Sequence, residues 1–190
     1  MNDTDTKDIT LATVRERAVR LLAIREHGRQ ELQEKLRQRD LPEDLIVPVL
    51  DQLADQGLQC DVRFAESFTR MRVSRGYGSD KIRSDLQARH LERSTIEGVV
   101  RDCGADWVQI ACDALSKKFL GKSLVVQCPD HSPDHSLSET SRVAGGAVDR
   151  ALLARMQRYL HRRGFKPSEL SSAVEKFTQT YRYFETDTDH

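Results

Sequence analysis

The stretch Asp61–Leu91, DVRFAESFTRMRVSRGYGSDKIRSDLQARHL, decides the fold because it occurs more than once. Moved back by 50 residues, Phe64 falls on Val14, Phe68 on Ala18, Met71 on Leu21, Gly78 on Gly28 and Ile82 on Leu32. Leu86 falls on Leu36, Leu91 on Leu41, Ile96 on Ile46 and Val100 on Leu50, without a gap. Arg70, Arg75 and Arg89 fall on Arg20, Arg25 and Arg39. Self-similarity at a fixed period is the mark of a repeat architecture.

A third copy is split. Moved forward by 43 residues, Phe64 falls on Trp107, Phe68 on Ala111, Arg75 on Lys118 and Gly78 on Gly121. Moved forward by 74, Ile82 falls on Met156, Leu86 on Leu160, Arg89 on Arg163, Leu91 on Phe165, Ile96 on Leu170 and Val100 on Val174. The 31-residue difference is an insertion between Gly121 and about Val148, rich in Ser, Pro, Asp, His and Gly, which reads as a flexible loop.

Each copy carries three short helical patterns. In the first, apolar residues stand at positions 14, 18, 21 and 22, then at Leu32 and Leu36, then at Leu45, Ile46, Val49, Leu50 and Leu53. Pro42 suits a first helical turn. Pro48 is expected to kink the third helix or delay its start. Gly76-Tyr77-Gly78-Ser79 breaks the first helix of the second copy, and Ser79 is the expected N-cap of the next. Helices this short need partners to persist.

The expectation is an all-α chain of three tandem three-helix repeats in an elongated, curved, right-handed or solenoid-like body. Its divisions are a disordered N-terminus (1–10), modules at 11–58, 59–104 and 105–184, an insertion at about 122–148, and a disordered tail (185–190). Composition agrees: of 190 residues only 38% are hydrophobic and 32% are charged, which suits thin modules with small cores.

The formal net charge is zero, which excludes a simple polycation that coats nucleic acid. The sum hides an alternation. Residues 1–61 hold 9 Lys+Arg against 13 Asp+Glu, and residues 62–101 hold 9 against 5. Residues 102–149 hold 4 against 7, and residues 150–190 hold 8 against 5. The candidates for meeting phosphate or an acidic protein surface are Arg25, Arg70, Arg72, Arg75, Tyr77, Lys81, Arg83, Lys118, Arg155, Arg158, Arg162 and Arg163. The alternative is a solvated face with local ion pairs. Reversing the charge of Arg72, Arg75 and Arg83 together is expected to weaken partner binding without unfolding the chain.

The four cysteines (Cys60, Cys103, Cys112, Cys128) show no paired spacing, which points to a reducing compartment. The start, MNDTDTKDIT, has neither a basic nor an apolar leader region, and no apolar run reaches the ~20 residues that span a bilayer. A cytoplasmic location away from membranes follows. Gly121-Lys122-Ser123 imitates the end of a P-loop but has Ser116 where the opening glycine belongs. Cys128, His131 and His135 offer metal-ligating atoms at close spacing, with no fourth ligand evident. Trp107, Phe64 and Phe68 fall where every copy is apolar, so each is expected in a module core. Tyr77, in a Gly-flanked turn, suits surface contact and turn packing equally. No nucleophile–base pair stands out, so the chain is read as a non-enzyme with no cofactor and no metal.

Asp61-Val62-Arg63-Phe64-Ala65-Glu66-Ser67-Phe68, then Arg72, Arg75-Gly76-Tyr77-Gly78 and Lys81-Ile82-Arg83, closely resemble the core motif of the RecX regulatory proteins. Arg17–Ala23, with Glu31-Leu32 and Lys35-Leu36, resembles that family's first module. Trp107, Tyr159-Leu160 and Arg163-Gly164-Phe165 resemble its third. The chain departs from the pattern at Cys60-Asp61, where the family has an acidic pair, and in the length of its insertion. The resemblance implies binding in the groove of the RecA filament. It implies hindrance of filament growth, strand exchange, ATP hydrolysis and coprotease activity, and so a place in homologous recombination, DNA repair and the SOS response. Weaker binding to single-stranded or duplex DNA and a monomeric state belong to the same expectation. The competing readings are a helical DNA-binding protein acting without RecA and a generic helical-repeat adaptor.

Overall fold

The structure, a computed structural model, describes residues 10–120 and 150–186. The expected insertion, the start of the chain and most of the expected tail lie outside the described residues. Among those described there are nine α-helices and no strand. They are α1 (Leu11–Ile24), α2 (Arg29–Arg37), α3 (Glu43–Asp55), α4 (Asp61–Ser74), α5 (Ser79–Gln87), α6 (Arg93–Asp102), α7 (Trp107–Leu115), α8 (Arg150–Arg162) and α9 (Pro167–Thr186). A π-helical turn, Ser116–Leu120, continues α7. The helix α9 reaches two residues into the stretch expected as a tail.

The repeat in the sequence is a repeat of chain reversals. The second helix of each copy ends in the same way. Leu41, Leu91 and Phe165 donate their backbone N–H to Leu36, Leu86 and Leu160, five residues back, at 3.4, 3.4 and 3.3 Å. The preceding residues, Asp40, His90 and Gly164, take positive φ of 57°, 60° and 78°. This is a Schellman termination, in which a left-handed residue turns the chain and the next apolar side chain folds back onto the helix. Leu41, Leu91 and Phe165 are buried accordingly. Gly76 ends α4 by the same device: its N–H meets Val73 O at 2.8 Å, and that of Tyr77 meets Arg72 O at 3.1 Å.

Apolar positions at helical spacing then close small cores. Val14, Ala18 and Leu21 of α1 pack with Leu32 and Leu36 of α2 and with Ile46, Val49, Leu50 and Leu53 of α3. A second core joins Ala111, Cys112, Ala114 and Leu115 of α7, Met156 and Leu160 of α8, and Leu170, Ala173, Val174 and Phe177 of α9, with Phe165 between the last two helices. Each fully buried aliphatic side chain stabilises by roughly 1.5–3 kcal/mol. The chain divides into two compact units, one of Met1–Met71 with Arg83–Gly104 and one of Arg72–Ile82 with Ala105–His190.

Three local expectations are corrected. Of the two outcomes expected of Pro48, a kink or a delayed start, the delayed start does not occur: the helix runs from Glu43 through Pro48 to Asp55. Asp44, whose carbonyl loses its amide partner there, is an exposed residue. Gly78, not Ser79, is the cap of α5, because its carbonyl accepts from Ile82 N at 3.2 Å and Ser79 is already helical. Trp107 is only half-buried and outside the core, since α7 buries Ala111, Cys112, Ala114 and Leu115 instead. Phe64 and Phe68 are buried as expected, with ring centroids 6.0 Å apart.

Candidate functional site

Several of the candidate cations are engaged within the fold. Arg25 pairs with Glu31 and donates to the Glu26 carbonyl at 2.9 Å. Burial raises the Glu31 carboxyl, but the hydrogen bond and charge of Arg25 outweigh it and hold the group below its ordinary value. Arg83 reaches both carboxylate oxygens of Glu97 from its Nε, at 3.0 and 3.2 Å. Half-buried Lys81 has its backbone against Gly164.

Arg163 is a clamp. Its guanidinium donates to the Arg75 and Gly76 carbonyls at 2.7 and 2.9 Å, closing the C-terminal end of α4. It also lies over the rings of Tyr77 and Tyr159, at 5.1 and 4.9 Å from their centroids. Arg72 approaches Tyr77 at 4.8 Å. Tyr77 thus has two guanidinium groups over its ring within the unit.

Asp61 and Arg63, two residues of the repeated motif, do equivalent work in the other unit. The Asp61 carboxylate accepts from the Arg29 N–H and from the Gln59 amide, both at 2.8 Å, and so caps α2 across 32 residues of sequence. Arg63 donates to the Gly57 and Leu58 carbonyls at 2.8 and 3.2 Å and pairs with Glu26 at 2.9 Å. The single carboxylate of Cys60-Asp61 is sufficient for this cap.

Four candidates are brought together. Lys118 from the π-helical turn and Arg155, Arg158 and Arg162 from α8 line one open groove of about 810 Å³. The positions 155, 158, 159 and 162 follow helical i, i+3, i+4, i+7 spacing and so share a face of α8. Phe119 and Tyr159 stand among them edge to face, with centroids 5.9 Å apart. The first turn of α9, at Pro167, Leu170 and Ser171, closes the far wall. That turn brings the positive end of a 20-residue helix to the groove. Among the described residues, none of the four cations is ion-paired with a carboxylate. Arg162 also complements the C-terminal end of α8, whereas Arg155 and Arg158, further back, have no such local explanation.

Arg70 and Arg75 are exposed elsewhere. Phe119 escaped the sequence reading, because its orientation depends on the π-helical turn, which changes the helical register after Leu115. Lys118 directly before it was the only available signal. The metal-like Cys128, His131 and His135 and the Gly121-Lys122-Ser123 decoy lie outside the described residues. Among those described, no group of three His, Cys, Asp or Glu is placed to hold a metal, and no helix is long and apolar enough to cross a membrane.

The groove gathers four cations, and the chain's relatives place it in a regulatory family. The sequence profiles of the RecX first and second three-helix domains match residues 15–53 and 61–100. Regulatory protein RecX of Pseudomonas fluorescens is 46% identical over 113 residues, 60% of this chain and 73% of that one. Regulatory protein RecX of Pseudomonas putida is 43% identical over 133 residues, 70% of this chain and 94% of that one. The crystal structure of RecX from Lactobacillus salivarius superposes with a TM-score of 0.66 over 89% of this chain and 97% of the other, at 18% identity, a likeness of fold. By these matches, and by the two three-helix domains they cover, the chain belongs to the RecX family of regulatory proteins.

Proposed function

We propose that this protein binds the RecA filament and modulates it, mainly as an inhibitor of recombinase, ATPase and coprotease activities, in the cytoplasm, as part of DNA repair and the SOS response. The observation that carries the reading is the identity to the curated RecX proteins across both matched three-helix domains. The cationic groove supports it physically, because a nucleoprotein filament offers both phosphates and acidic protein surface. The action is binding, by a monomer built of modules at 11–58, 59–104 and 105–184, and several weak contacts made by one chain reinforce one another through effective concentration. DNA contact is the weaker component and falls with salt.

The test adds the purified chain to RecA filaments on single-stranded DNA and follows ATP hydrolysis. The expected result is a dose-dependent fall. Unchanged hydrolysis at a stoichiometric excess overturns the reading. Capture of RecA in the absence of DNA separates it from a helical DNA-binding protein acting alone, which the aromatic residues of the groove favour.

A further inference from the structure

We propose that the groove between the π-helical turn, α8 and α9 holds one strand of nucleic acid, with successive phosphates along Arg155, Arg158 and Arg162 and an unpaired base against Phe119. The proposal deepens the reading above by giving its DNA contact a site and a strandedness, and rests on that reading for the presence of DNA.

Several arginines elsewhere in the fold are answered singly: Arg25 by Glu31, Arg37 by Glu43, Arg63 by Glu26, Arg83 by Glu97. Lys118, Arg155, Arg158 and Arg162 converge with no such answer among the described residues. Like charges held together repel, and an incoming polyanion relieves that repulsion. At a rise of about 1.5 Å per residue, Arg155 and Arg162 stand roughly 10 Å apart along α8, too far for one phosphate and suited to a run of them.

The shape of the groove sets the strandedness. Readers of duplex DNA push a protruding helix into a major groove about 12 Å wide. Here α8 lines an open groove together with the π-helical turn and the start of α9, a recess that suits a single strand. Phe119 is half-buried, with its edge-to-face contact to Tyr159 holding the ring in place. An aromatic ring in a cationic groove is the arrangement by which single strands are held, because an unpaired base exposes a face for stacking. Tyr159 is held through its Arg163 contact and its hydroxyl, 3.4 Å from the Ala114 carbonyl, which leaves Phe119 as the platform. An acidic peptide would satisfy the arginines but leave that ring unused.

Fluorescence anisotropy with a short labelled oligothymidylate, a duplex of equal length and polyglutamate tests the assignment. The single strand is expected to bind in preference to the duplex. The triple variant Arg155→Gln, Arg158→Gln, Arg162→Gln is expected to lose at least about tenfold in affinity, with the slope of log K against log salt shallower by about two. Phe119→Leu, which keeps an apolar side chain against Tyr159, is expected to lose about fivefold or more for the single strand at an unchanged salt slope. Equal binding of duplex, an unchanged triple variant, an unchanged Phe119→Leu, or displacement of the strand by polyglutamate at matched charge overturns it. Circular dichroism and melting of each variant confirm the fold. The two proposals fail separately. RecA inhibition without oligonucleotide binding sinks only this one, and the expected binding pattern without RecA inhibition sinks only the function proposed above.

Discussion

Gly78 and Gly164 meet backbone to backbone. A Cβ on Gly78 would collide with the Gly164 carbonyl, and one on Gly164 would collide with the backbone of Lys81. The contact is a pair of hydrogen bonds, Gly78 N–H to Arg163 O at 2.8 Å and Asp80 N–H to Gly164 O at 3.0 Å. The amides at the start of α5 and the carbonyls just beyond α8 thereby satisfy one another. Gly164→Ala adds a left-handed alanine to a steric collision and is expected to cost about 2–4 kcal/mol in urea denaturation. Gly98, inside α6, has no atom within 4 Å of a built Cβ, so Gly98→Ala is expected to stabilise by about 0.5–1 kcal/mol. Equal effects of the two substitutions would refute this contrast.

Asp61→Ala removes the cap of α2 and leaves the buried Gln59 amide one acceptor short. A loss of about 0.5–2 kcal/mol is expected, and a smaller one for Asp61→Asn, whose side-chain oxygen still accepts. Chemical denaturation of both variants checks the order.

Phe64 is 3% exposed, with its ring 3.1 Å from where a Gly28 Cβ would stand. Phe64→Ala is expected to cost about 3–5 kcal/mol. Trp107→Ala, at a half-buried position, is expected to cost clearly less despite the larger side chain. Thermal melting of the two variants tests the ranking.

Buried His27 has Nδ1 3.0 Å from the Arg25 carbonyl, and burial is the largest influence holding its pKa below the ordinary 6.5. The unfolded chain therefore takes up a proton that the folded chain refuses. Stability from this residue is complete above pH 6.5, declines as pH falls below that value, and levels off once pH passes under the folded pKa. The slope of unfolding free energy between pH 7 and about 5 is expected to flatten in His27→Gln.

Reversing charge at Arg155, Arg158 and Arg162, all exposed, is expected to change stability by less than about 0.5 kcal/mol per site. Arg163→Ala frees the Arg75 and Gly76 carbonyls and is expected to cost about 1–3 kcal/mol. Similar melting temperatures for Arg163→Ala and the groove variants would contradict the clamp.

The helices were legible because their signal is local. Leu32 and Leu36, or Ile82 and Leu86, show one face within a few residues, and the 50-residue echo confirms it. The reversals at Asp40 and His90 were harder to see, since neither residue is glycine although both adopt its backbone conformation. The role of Arg163 was illegible because its acceptors lie 87 and 88 residues away. Sequence composition marked Arg155, Arg158 and Arg162 as cationic in the same way as Arg83, and only packing separates a paired guanidinium from one that lines a groove. The register of Trp107 misled because aligning one apolar residue on another does not say which helical face turns inward.

Residues 72–82 belong with the C-terminal unit although they sit in the middle of the chain. Cutting after Gly104 would leave the amides of Gly78 and Asp80 to water, and a fragment starting at Ala105 would carry the Arg163 and Gly164 carbonyls without their donors. Truncation at the repeat boundaries therefore yields two incomplete pieces, and dissecting this protein calls for point substitutions in the intact polypeptide.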